Sequence, residues 1–163
     1  MGSKQKKVSK TNKPERFTGF VPSIETTKLY LKARIEQTTL QIKSILRKAW
    51  YKDTSSDQNN WSKKNPAWGQ CAVSALFVND MLGGKLIWAE ALLPDGRKIS
   101  HYFNLVNGIE IDLTKEQFPK GTVIPKGIDK KKEFPTTRDY VLSYESTRIR
   151  YGNLKERIDS ISS

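Results

Sequence analysis

The chain has 163 residues, 36% of them hydrophobic and 28% charged, with a formal net charge of +12, which is enough for one domain with a sizeable core and too little for two. No run of about eighteen apolar residues occurs, so no membrane-spanning helix is expected, and the basic start Met1-Gly2-Ser3-Lys4-Gln5-Lys6 fits neither a secretory signal nor a myristoylation site. A single cysteine, Cys71, allows no internal disulfide, and with a single histidine, His101, it falls short of the ligand set of a structural zinc site.

In chain order, residues 1–23 are rich in Lys, Ser, Thr and Pro and read as a flexible basic arm. There Lys4, Lys6, Lys7, Lys10, Lys13 and Arg16 stand against Glu15 alone. From residue 24 the apolar spacing turns helical, with Leu29, Leu31, Ile35, Leu40, Ile42, Ile45, Leu46 and Trp50 recurring at threes and fours. A break is expected near Thr38-Thr39. Residues 51–60 read as polar loop, and residues 61–70 as an irregular approach in which Asn65-Pro66 disfavours helix. Residues 71–82 are apolar almost all round and predict a buried helix, ended by Gly83-Gly84 in a left-handed cap.

Three strands follow over residues 85–93, 98–106 and 109–113. They are joined by the turn signals Pro94-Asp95-Gly96-Arg97 and Asn107-Gly108. A short helix over 114–118, capped by Thr114, leads into a basic loop over 119–135 that contains Lys130-Lys131-Lys132. The last helix starts at Thr136 and reaches Ser146 or Ile158, with Arg148, Arg150, Lys155 and Arg157 on its wet side. The whole is an α+β arrangement, with residues 24–163 as a single domain.

The chemistry gathers around Cys71. The first N–H groups of a helix are unpaired and carry partial positive charge. A thiol placed there has its thiolate stabilised, and the same N–H groups can receive an oxyanion. If Asn107-Gly108 is a two-residue turn, Val106 pairs with Ile109 and Asn104 with Ile111. Alternation then puts His101 and Phe103 on the face of Asp112, while Asn104 points the other way. Asp112 rather than Asn104 is therefore the group expected to orient His101.

Each residue also has a plainer reading. A lone cysteine in an apolar helix is most often a small core residue. A strand histidine is more often structural, and an aspartate before Leu-Thr is commonly a helix-start residue. Chain order, helix start and shared face favour a reactive Cys71, His101 and Asp112 together. Gln70, Trp68, Trp61 and Asn104 are candidates for oxyanion or substrate contacts.

Trp68-Gly69-Gln70-Cys71-Ala72-Val73 is similar to the Gly-Gln-Cys segment of transglutaminases. His101-Tyr102-Phe103-Asn104 resembles their His-x-Trp-Asn strand, and Asp112 stands where their aspartate does. The resemblance implies a transglutaminase-like (papain-like) Cys-His-Asp architecture with a trimmed sheet. No acidic calcium loop is visible, so calcium is not carried over.

A closer resemblance is to the YunG-like family of small bacterial proteins. It rests on Trp61, Asn65-Pro66-Ala67-Trp68-Gly69-Gln70-Cys71-Ala72-Val73, Gly83-Gly84, His101-Tyr102-Phe103-Asn104 and Asp112-Leu113-Thr114-Lys115-Glu116-Gln117-Phe118. That resemblance implies no activity of its own.

The expectation is a cytoplasmic thiol hydrolase or acyltransferase (a peptidase, amidase or transglutaminase-like enzyme) acting on a peptide, protein or small amide or ester, without a cofactor. One rival is a nucleic-acid-binding or acidic-partner module using Lys4, Lys6, Lys7, Lys10, Lys13, Arg16 and Lys130-Lys131-Lys132. Another is a degenerate scaffold of the same fold.

Overall fold

The computed structural model describes Gly19 and residues 21–162. The basic-arm residues Lys4, Lys6, Lys7, Lys10, Lys13 and Arg16 lie outside the described residues. Helix α1 spans Ile24–Ala49, opened by Ser23, whose hydroxyl accepts from the Thr26 N–H. It runs unbroken through Thr38-Thr39, where a break was expected, because two β-branched residues lower propensity only slightly within a long helix. Its C-terminal part is anchored by buried Ile42, Leu46 and Ala49. A 3-10 turn at Lys52–Thr54 and a turn-rich approach lead into α2, Cys71–Leu82. Cys71 to Leu76 and Val78 are all buried, as the all-round apolar pattern requires. Gly83 ends α2 at φ 70°, ψ −145°. Its positive φ suits glycine, but its ψ departs from the expected left-handed helical cap.

Strands β1 (Lys85–Leu92), β2 (Lys98–Val106) and β3 (Ile109–Ile111) form an antiparallel sheet in the order β1-β2-β3. Asn107 and Gly108 both have positive φ, the conformation of a type I′ turn, so Val106 pairs with Ile109 and Asn104 with Ile111. One face of the sheet, with Leu86, Val106 and Ile111, packs into the core with α1 and α2. The other carries Ile87, Ala89 and Phe103 beneath Ile124.

The segment read as a basic loop does structural work. Val123 pairs with Leu92 and Ile128 with Trp88 through reciprocal backbone hydrogen bonds of 2.8–2.9 Å, which covers the free edge of β1. After β3 a 3-10 turn at Lys115–Gln117 replaces the expected short helix. Thr114 does not cap it with its side chain; Asp112 Oδ1 instead accepts from the Thr114 N–H at 3.1 Å.

The expected single C-terminal helix is two helices, α3 (Thr137–Leu142) and α4 (Glu145–Ser162). They break at Ser143, whose hydroxyl bonds back to the Tyr140 carbonyl at 2.7 Å. α4 buries Tyr151, Leu154 and Ile158. It is tied to α2 by the Tyr151–Asp80 hydrogen bond and to the first 3-10 turn by Arg157–Asp53 at 2.7 Å. Among the described residues no helix is long and apolar enough to cross a membrane.

Candidate active site

Cys71 is the first residue of α2 and is 8% exposed. Its approach loop is pinned from several sides. Gly69 has φ 70° and donates its N–H to Gln117 Oε1 at 3.2 Å, while its carbonyl accepts from the Ser56 N–H at 2.9 Å. Gln70, fully buried at the helix N-cap, donates from Nε2 to the Tyr51 carbonyl at 2.9 Å and leaves Oε1 enclosed without a partner. The Trp68 indole donates to Asp57 Oδ2 at 2.9 Å, and the Trp61 indole to the Pro66 carbonyl at 3.0 Å. Residues 68–70 are thus held by bonds from Tyr51, from Ser56 and Asp57, and from Gln117.

His101 sits on β2 with no exposed surface. Its Nε2 meets Asp112 Oδ2 at 2.7 Å, which leaves Nδ1 as the ring nitrogen for other partners. Asp112 is held in turn, since its second oxygen takes the Thr114 N–H. Phe103 stacks on the imidazole at 5.4 Å between centroids, and Phe118 meets it edge-on at 4.9 Å. Asn104 faces the other way and donates to the Ala75 carbonyl of α2 at 2.9 Å, tying the histidine strand to the cysteine helix.

Cys71 and His101 shift one another's titration. Burial alone pushes the thiol up, but the His101 hydrogen bond and charge outweigh it and hold the thiol below its ordinary value. Burial pulls His101 down, yet the hydrogen bonds and charges of Asp112 and Cys71 raise it to about 9. Both shifts run in the direction of a thiolate–imidazolium pair, the reactive form of a cysteine nucleophile.

A cleft of about 310 Å³ opens at Cys71, walled by Tyr102, Tyr140, Tyr144, Lys130 and Arg150. Burial pushes the Tyr102 phenol up to about 12, so it stays a neutral hydrogen-bonding wall. Trp61, Trp68 and Asn104 do not line this cleft, and neither does Gln70. Lys130 lies 3.7 Å over the Trp88 ring and Lys132 lies 5.3 Å over Tyr140.

Sequence reasoning passed over Gln117. It is 4% exposed and joins both halves of the site: Oε1 takes the Gly69 N–H, and Nε2 lies 3.4 Å from His101 Nδ1. The signal was its place five residues after Asp112 in the same motif. Arg150 was expected on the wet side of its helix; it is half-buried and lines the cleft instead.

The family described as YunG protein matches residues 38–162. A curated relative, the "Uncharacterized protein YunG" of Bacillus subtilis (strain 168), is 34% identical over 77 residues. That match covers 47% of this chain, and the chain spans 60% of the length of the relative. No solved structure matches this one.

Proposed function

The chain belongs to the YunG protein family, and within that family we propose that it is a thiol hydrolase or acyltransferase working through Cys71, His101 and Asp112. The observation that carries this reading is the 2.7 Å His101–Asp112 contact behind a helix-start thiol that interacts with the same imidazole. The order of helix-start cysteine, strand histidine and following aspartate is that of transglutaminase-like (papain-like) enzymes. We read the three-stranded sheet as a trimmed form of that architecture.

In this mechanism the Cys71 thiolate attacks the carbonyl carbon of an amide or ester, forming a C–S bond. The oxyanion that develops faces the N-terminal N–H groups of α2. The His101 imidazolium gives its proton to the leaving amine or alcohol as the C–N or C–O bond breaks. Asp112 holds the ring through Nε2 and offsets its charge. Neutral His101 then takes a proton from water or from an acceptor amine, which attacks the thioester and releases the thiolate. Neither a metal nor a cofactor enters these steps.

The test is alkylation of the single cysteine by iodoacetamide across pH. The wild type should show a thiolate that titrates below the usual cysteine value of about 8.5. His101→Ala should move that titration above it, because the two largest influences that oppose burial are then gone. A wild-type thiol titrating at or above the usual value would overturn the reading.

A further inference from the structure

We propose that the cleft at Cys71 selects substrates carrying a carboxylate beside the scissile acyl group, with Arg150 as its anchor and Lys130 as a second cation. This inference rests on the thiol-enzyme reading above. It stands on a guanidinium whose place in the fold is otherwise unexplained. Arg47, Arg97, Arg138 and Arg157 each pair with a carboxylate, namely Glu116, Asp95, Asp80 and Asp53. Those four pairs lie at the surface or between elements, where an arginine has an evident partner.

Arg150 has no such partner among the described residues. Its Nε donates to the Ser146 carbonyl and its Nη2 to Thr147 Oγ1, both at 3.0 Å and both within its own helix. Its Nη1 is enclosed without a partner among the described residues. An unpaired guanidinium taken out of water is costly, and its desolvation is felt as a lowered affinity for its proton, offset by the charge of Cys71.

The rest of the wall agrees. The cleft lining contains two cations, Lys130 and Arg150, three tyrosines and no Asp or Glu. The Asp112 charge is taken up by His101. With two cations and no acid in its lining, the cleft is left positive for a ligand. A guanidinium without a carboxylate partner among the described residues, lining a small cavity walled by phenols, suits a compact carboxylate. At about 310 Å³ the cleft is near the lower end of the range for small-ligand sites, which fits a small acidic acyl group rather than a long apolar one.

The test compares iodoacetate with iodoacetamide. The two are close in size, and in both the Cys71 sulfur displaces iodide to form a thioether; only iodoacetate carries a carboxylate. Because both react with the same thiolate, the thiolate fraction cancels in the ratio of their rate constants. The wild-type ratio should exceed that of 2-mercaptoethanol by about tenfold, the scale of one charge-assisted hydrogen bond. It should fall towards the mercaptoethanol value in Arg150→Gln, stay intermediate in Arg150→Lys, and drop as salt is raised.

A wild-type ratio no higher than that of mercaptoethanol, or one unchanged in Arg150→Gln, overturns the anion site while leaving a reactive thiol intact. Slow reaction with both reagents instead overturns the thiol-enzyme reading itself. If Arg150→Gln does not fold, Arg150→Lys and the salt dependence of the wild type decide: a ratio unmoved by either overturns the proposal.

Discussion

The two sides of the Cys71 cleft are built on opposite plans. On one side Asp112 holds His101, its oxygens committed to His101 Nε2 and the Thr114 N–H, and Gln117 lies 3.4 Å from the other ring nitrogen. On the other, Lys130 rests on an aromatic face and Arg150 bonds only to its own helix. A satisfied network fixes one geometry and resists change. An unsatisfied wall is ready to accept something from outside. The difference separates a side suited to performing a reaction from a side suited to choosing its substrate, and substitutions on each should behave accordingly.

The largest effect is expected at the closed side. Asp112→Asn removes the carboxylate that raises His101 and should lower turnover of an acyl substrate by roughly 10²-fold or more, the scale of a lost general acid–base function. It also carries a pH signature. The folded value of His101 is about 9, above its ordinary 6.5. The stability that it contributes is therefore fully present below 6.5 and is lost as pH rises from there through about 9. In Asp112→Asn this loss should shrink, so the melting temperature should change less between pH 6 and 9 than in the wild type. Equal pH slopes in the two proteins would mean that Asp112 does not raise His101.

Next comes the loop that aims the thiol. A Cβ at Gly69 would stand 2.4 Å from Ser55 Oγ and 2.9 Å from the Ser56 nitrogen, at a φ of +70° that side chains avoid. Gly69→Ala should lower unfolding stability by about 2–4 kcal/mol, combining backbone strain with overpacking. Gly83 has the same φ with nothing within 4 Å, so Gly83→Ala should lose only the strain part. Denaturant midpoints that fall equally in both variants would show that the close approach at Gly69 is relieved by movement of Ser55.

The closed side was legible in the sequence because its determinants are local. A helix start, a two-residue turn at Asn107-Gly108 and strand alternation fix the register, and the register brings Asp112 to His101. The open wall was not legible. Arg150 reads as one of several basic residues on an amphipathic helix, and only the packing of Tyr151 and Leu154 turns it inward to the cleft. The 119–135 stretch likewise shows no strand periodicity. Its pairing with β1 is made by single residues, Val123 and Ile128, whose partners lie more than thirty positions back along the chain. Gln117 falls between these cases, since its place in a motif was visible but its bond to Gly69 crosses 48 residues.

The smallest effect is expected at Lys130. Its ammonium lies 3.7 Å over Trp88, and its backbone N–H, which a substitution keeps, bonds Thr137 Oγ1 at 3.0 Å. Lys130→Ala should therefore cost only about 0.5–1 kcal/mol of stability, the range of a cation–π contact open to solvent. Its ammonium is more strongly hydrated than a guanidinium and makes no directed contact into the cleft. The iodoacetate-to-iodoacetamide ratio should thus fall about twofold, well short of the change in Arg150→Gln. This ranking separates two designs of the open wall. If one enclosed guanidinium recognises the carboxylate, Arg150 dominates and Lys130 adds a weak, salt-screened background. If the two substitutions lower the ratio equally, the wall acts as a diffuse positive field, and Arg150 has no special part in choosing the substrate.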